Sequence, residues 1–170
     1  EVEYLLSLVE LKSFQKKRSL SKKTLSSLRS LYTEFSDKDF KQIKKIESKT
    51  NHDVNAVVVF ISEKLEKISR KDLIPLVHFG LTSEDINNTA YSLMTKGATK
   101  NIMVPAIKNV LKELKKLARR TKSLPMLSLT HGQPATTTTL GKELAVFISR
   151  IERELVLIGE INLLAKFSGA

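Results

Sequence analysis

Residues 140–164 read LGKELAVFISRIERELVLIGEINLL, and the spacing of their apolar side chains decides the fold. Leu144, Phe147, Ile148, Ile151, Leu155, Ile158, Ile161 and Leu164 recur at intervals of three and four through a charged background, which is the period of one helix face. Ile151, Leu155, Leu157 and Ile158 broaden that stripe, so the helix is expected to pack against more than one neighbour, as in a helical bundle.

The whole chain carries only four prolines and six glycines in 170 residues, gathered at a few places, which predicts long helices joined by short loops. Val2, Leu5, Leu6, Val9 and Leu11 are helically spaced, as are Leu25, Leu28, Leu31, Tyr32 and Phe35 after a cap at Ser21. A third helix is expected to start near Asp37. Val54, Val57, Val58, Ile61, Leu65 and Ile68 keep a helical period, although the run Val57 to Val59 alone would suggest a strand. Asp53 is the expected cap of that helix. After a helical turn around Leu73 to Phe79, Gly80 breaks the pattern and Thr82-Ser83-Glu84-Asp85 has the hydroxyl-then-acid character of a helix start running to about Met94. Another helix is expected from about Asn101 to Thr121, with Pro105 in its first turns and Pro125 at its exit. The expected class is all-α: an N-terminal helical domain over residues 1–71, then the first long helices of a central bundle over 72–170. Both ends of the chain read as cuts within a larger protein.

Composition narrows the function classes. With 41% hydrophobic and 28% charged residues the chain can bury a core. No apolar run approaches the roughly 20 residues that span a bilayer, and residues 1–20 lack the order of a secretory signal. The absence of cysteine removes disulfides and thiolate metal sites, so a soluble cytoplasmic protein is the expectation. The formal charge of +11 favours anionic partners without choosing among them. Much of it lies in Lys41 to Lys49 and Lys108 to Lys122, where lysines alternate with aliphatic residues; the plain reading is a solvated helix face.

The three histidines lie in loop-like segments rich in small polar residues: Thr50-Asn51-His52-Asp53, His78 ahead of Thr82-Ser83, and Thr130-His131-Gly132-Gln133-Pro134. Taken singly, each could be a packed or capping side chain. No pair has metal-ligand spacing, so neither metal nor cofactor is expected. Thr82-Ser83 and Thr136 to Thr139 offer hydroxyls beside the free amides of helix beginnings, where carboxylates and phosphates bind, although such hydroxyls also cap their own helices. Gly132 and Pro134 flank Gln133 and suggest a sharply shaped loop around His131.

Three strings in register resemble the bacterial type of the adenylosuccinate lyase family, within the fumarase and aspartase superfamily. They are Thr50 to Val54, His78-Phe79-Gly80-Leu81-Thr82-Ser83-Glu84-Asp85-Ile86-Asn87-Asn88, and Thr130-His131-Gly132-Gln133-Pro134-Ala135-Thr136 followed by Gly141-Lys142-Glu143. The resemblance covers residues 44–170; the first forty match only in being helical.

That resemblance implies elimination of fumarate from adenylosuccinate, giving AMP, and the equivalent step on the succinyl-carboxamide ribotide of purine biosynthesis. It implies His131 as general acid, Thr82, Ser83, Asn51, His52 and Asp53 as substrate-binding residues, and His78, Thr130 and Gln133 in support. It also implies a homotetramer that assembles each site from three subunits. The family's serine loop, which carries the base, and an Arg-Tyr substrate segment are not in these 170 residues, so the chain alone is expected to be inactive. Rival readings are a basic helical nucleic-acid-binding module and a purely structural bundle. Aromatic content of 6% and dispersed basic residues argue against the first, so the expected partner is a small-molecule substrate, with no nucleic acid and no membrane.

Overall fold

A computed structural model describes residues 1–11 and 19–168. The chain divides into two compact units, residues 1–90 with 165–170, and residues 91–164.

In the first unit, α1 (Val2–Glu10) buries Val2, Leu5, Leu6, Leu8 and Val9. This is the face the apolar spacing predicted, except that Leu11 lies past the helix end and is exposed. Helix α2 (Lys22–Thr33) begins at Ser21, whose hydroxyl accepts the Thr24 amide, and buries Leu28. Helix α3 (Asp37–Thr50) starts with a capping box in which Ser36 and Asp39 bond each other's backbone amides. Helix α4 (Asp53–Lys67) keeps Val57 to Val59 helical because Val54, Phe60, Ile61 and Leu65 bury its apolar face. With Leu73, Leu76 and Val77 from the 3₁₀ turn Lys71–Leu76 and the residue after it, Phe60, Ile61 and Leu65 join the α1 side chains in one core. Fully burying a Leu such as Leu5, Leu65 or Leu73 contributes about 1.5–3 kcal/mol.

Helices α3 and α4 are joined by Asn51 in the left-handed conformation (φ 50°), its amide donating to Glu47 O at 2.8 Å. Gln42 Nε2 donates to Glu63 Oε2 (2.6 Å) and Lys64 Nζ to Asp39 Oδ1 (2.9 Å), so polar pairs lock the two helices side by side. The lysine ammonium also stands 4.6 Å from the centroid of the Phe60 ring. This hairpin fixes its apex, and with it His52.

Helix α5 (Ser83–Ala98) runs past the expected end at Met94 and is followed by a π turn, Thr99–Met103, and then by α6 (Val104–Arg120). Pro105 accounts for the irregularity: it has no amide proton for the preceding turn, and a wider turn accommodates its ring. Helix α6 packs on α7 (Leu140–Glu160), with Leu111 and Ile148 buried between solvent-facing neighbours. Helix α7 stops at Glu160, short of the full stripe. Ile161 turns extended (φ −69°, ψ 117°), Gly159 and Asn162 being weak helix formers, and the Ser92 hydroxyl donates to Leu164 O (2.9 Å).

Between α6 and α7 the chain forms an antiparallel ribbon, β1 (Pro125–Thr130) and β2 (Gln133–Thr139), where a loop was expected. Apart from this ribbon the described residues form helices and their connections, so the class is all-α as anticipated. At the base of the ribbon Leu140 N donates to Leu124 O and Gly141 N to Thr121 O. A Cβ on Gly141 would stand 2.5 Å from Ala118 O, so that crossing requires glycine.

Candidate functional site

The first unit brings two of the three polar strings together at neighbouring helix beginnings. His52, not Asp53, is the N-cap of α4: its Nδ1 accepts the Asn55 amide at 3.2 Å. An accepting nitrogen carries no proton, so in the neutral ring the proton sits on Nε2, which lies 3.3 Å from Ser83 Oγ. His52 Nδ1 also stands 3.4 Å from Asp53 Oδ1, but with no proton to give it makes a proximity there rather than a hydrogen bond. The Thr50 hydroxyl donates to His52 O (3.2 Å) and pins the turn.

Asp53 is displaced from the expected capping position to the first residue of α4. The Val54 amide donates to its Oδ1 (2.7 Å) and Asn87 Nδ2 to its Oδ2 (3.4 Å). The Val54 amide first, and Asn87 after it, hold its carboxyl below the usual range, so it is ionised near neutral pH. Asn51, His52 and Asp53 border an open concavity with Lys44, Glu47 and Ser48. Within this hollow Lys44 is paired with Glu47 (2.6 Å), and the Val54 and Asn55 amides of α4 are taken by Asp53 and His52.

Thr82 and Ser83 begin α5. The Thr82 amide donates to Asp85 Oδ2 (3.0 Å) while the Asp85 amide donates to Thr82 O (3.1 Å), so the turn is closed from both sides. Asp85 is buried, and its other oxygen accepts the Ser168 amide (3.0 Å). Asn88 holds the same segment: its Oδ1 accepts from Lys166 N (2.8 Å) and its Nδ2 donates to Lys166 O (3.2 Å). Sequence reading did not single out Asp85, Asn87 and Asn88, though Ser83 and Asn87 are four apart on one helix face, as a shared site would require.

His78 sits in the turn before α5, where Leu81 N donates to His78 O (3.3 Å) and Gly80 takes φ +71°. Its Nδ1 lies 2.7 Å from Glu1 Oε1, a partner 77 residues away that no local pattern announces.

In the second unit, His131 and Gly132 are the two residues of the ribbon turn, closed by the pairing of Thr130 with Gln133. Both have positive φ (50° and 71°), the signature of a type I′ hairpin turn. Histidine in that region is strained by about 1–2 kcal/mol, and such strain gathers at functional positions. The imidazole is exposed and, among the described residues, makes no hydrogen bond. Of the threonines, Thr139 caps α7 by accepting the Lys142 amide (3.2 Å), and Thr138 donates to Glu143 Oε1 (3.0 Å). Lys142 and Thr138 draw the Glu143 carboxyl below its usual range. Those two hydroxyls are thus used within the fold.

The family model described as Lyase matches residues 7–170, and the chain belongs to that family. Curated relatives include the adenylosuccinate lyases of Buchnera aphidicola subsp. Baizongia pistaciae, 45% identical over 151 residues (88% of this chain, 33% of the relative), and of Dictyostelium discoideum, 42% identical over 159 residues (91% and 34%). The adenylosuccinate lyase of Escherichia coli K12 is 36% identical over 171 residues (100% and 38%). The chain therefore spans little more than a third of the length of these relatives. Among solved structures, a fumarate lyase from Mesorhizobium sp. BNC1 superposes on the whole chain with TM-score 0.75 at 23% identity, over 38% of its own length. The β-carboxy-cis,cis-muconate cycloisomerase of Acinetobacter calcoaceticus sp. ADP1 gives TM-score 0.74 at 22% identity, covering 99% of this chain and 39% of the other. At that identity these two speak for the fold alone.

Proposed function

We propose that the protein to which this chain belongs is an adenylosuccinate lyase, releasing fumarate from adenylosuccinate and from the succinyl-carboxamide ribotide of purine biosynthesis. The carrying observation is the contact between His52 and Ser83, which joins two strings 31 residues apart at adjoining helix starts. Names shared by the relatives support the same reading.

In this reading the substrate is held by Asn51, His52, Asp53, Thr82 and Ser83. The α4 and α5 N-termini supply amides and dipole ends for its phosphate and carboxylates. His131 acts as general acid: its protonated imidazole gives a proton to the departing amine as the C–N bond breaks. A base from elsewhere in the protein takes the proton from the neighbouring carbon, and the electron pair left there forms the fumarate double bond. His131 suits the acid role because its ring is exposed and, among the described residues, makes no hydrogen bond. His78, Thr130 and Gln133 support these groups. The active protein is a cytoplasmic homotetramer, whose contacts would cover the apolar side chains exposed on α6 and α7, among them Val110, Phe147, Val156 and Leu157.

Full-length protein incubated with adenylosuccinate should release fumarate, followed by its absorbance, while the 170-residue chain alone should release none. Failure of the full-length protein to turn over either substrate would overturn the reading.

A further inference from the structure

The Glu1 side chain, just ahead of α1, makes no hydrogen bond to the amides of that helix. It turns instead onto His78, Oε1 lying 2.7 Å from Nδ1. The carboxylate end of the pair is closed, with the Glu1 side chain only 4% exposed, while the imidazole end remains 28% exposed. Glu1 Oε2 is buried with no hydrogen-bond partner among the described residues.

Tyr4, one turn further along the same face of α1, donates its hydroxyl to Phe79 O at 2.7 Å and stands 3.9 Å from where a Cβ of Gly80 would lie. Residues 1 and 4 of one helix therefore grip residues 78 to 80 of the turn leading into Thr82-Ser83. A carboxylate can only accept, so it holds the imidazole proton on Nδ1. The other ring nitrogen makes no hydrogen bond among the described residues.

We propose that Glu1 is a positioning residue for His78: its buried carboxylate fixes the Nδ1–H tautomer and leaves Nε2 as the ring atom offered to substrate beside Thr82-Ser83. The arrangement is the reverse of His52, whose Nδ1 accepts and whose Nε2 carries the proton. The two histidines of this unit thus present opposite hydrogen-bonding characters through the same ring atom. For catalysis the inference rests on the lyase reading, but the tautomer itself does not.

Two measurements test it. Long-range proton–nitrogen NMR of the 170-residue chain, whose three histidines can be assigned by single replacement, should find His78 in the Nδ1–H form and His52 in the Nε2–H form. In Glu1→Gln the His78 preference should weaken while that of His52 stays. An Nε2–H or evenly mixed His78, or one indifferent to Glu1→Gln, overturns the proposal. In the full-length enzyme, Glu1→Gln should lower kcat about tenfold with KM within about twofold, and this loss should vanish in a His78→Gln background. An equal loss with or without His78 would mean that Glu1 acts independently, and would also overturn it. Absence of turnover by the unsubstituted enzyme would instead remove the lyase reading, leaving the tautomer measurement to decide the pairing.

Discussion

His52 and Ser83 meet through His52 Nε2 and Ser83 Oγ at 3.3 Å, while Nδ1 of the same ring caps α4 through the Asn55 amide. One side chain therefore serves the fold with one nitrogen and the candidate site with the other. Replacements can separate the two duties. Asn at position 52 still caps the helix but is too short to reach Ser83; Ala does neither. His52→Ala should destabilise the chain by about 1 kcal/mol in chemical denaturation, His52→Asn by less than about 0.5 kcal/mol. Both should raise KM for adenylosuccinate in the full-length enzyme. A KM left unchanged by both would remove His52 from substrate binding.

Glycines at two positions should respond in opposite directions to alanine. Gly141 crosses α6 so closely that a methyl group would lie 2.5 Å from Ala118 O and 2.6 Å from Lys122 Cα, both backbone atoms with little room to yield. Gly141→Ala should cost more than about 2 kcal/mol through forced separation of α6 and α7. Gly97 lies within α5, and a methyl group there would meet no atom within 4 Å, so Gly97→Ala should stabilise by about 0.5–1 kcal/mol. Thermal melts of the two variants check the contrast, and equal effects would contradict the packing described for Gly141.

Asp39 links a cap to a helix pair: Ser36 first, then Lys64, hold its carboxyl down at about 2. A carboxylate whose folded value lies below its unfolded one contributes stability that is complete above the unfolded value, about 3.9, and is lost as pH falls toward 2. The difference in denaturation midpoint between the unsubstituted chain and Asp39→Asn should therefore be constant above about pH 5 and shrink between about pH 4 and 2. A difference that stayed level down to about pH 2 would show that the Asp39 charge does nothing for the fold.

Helices were legible because their apolar faces repeat locally: Val2, Leu5, Leu6 and Val9 announce α1, and Ser21 announces the start of α2. The ribbon was not, because Pro125 to Thr139 lacks clean alternation and carries Pro134 within its second strand, which only an edge strand tolerates. The His131-Gly132 pair occupies the place of the familiar Asn-Gly turn, but histidine is an unusual occupant of a left-handed position. Loop-like polar strings drew attention to His52 and Ser83 because small polar residues gather where helices begin, and the fold sets those two side chains against each other. Assigning the α4 cap to Asp53 followed residue preference, whereas the imidazole, one position earlier, reaches the Asn55 amide. Glu1 could not be found at all, since a contact spanning 77 residues leaves no periodic trace.

The turn at His131 allows the acid role to be tested apart from the strain that supports it. His131→Asn keeps a residue that tolerates positive φ and removes the titratable ring, so the ribbon should persist with unchanged circular dichroism while kcat of the full-length enzyme falls about 10²-fold or more. Gly132→Ala leaves the ring in place and meets no atom within 4 Å, so its cost comes only from a φ of +71° that alanine resists, about 1 kcal/mol. Its effect should be read in stability first, and in kcat only as far as the turn shifts His131. Turnover that survived His131→Asn but collapsed in Gly132→Ala would place the essential group in the turn backbone instead of the imidazole.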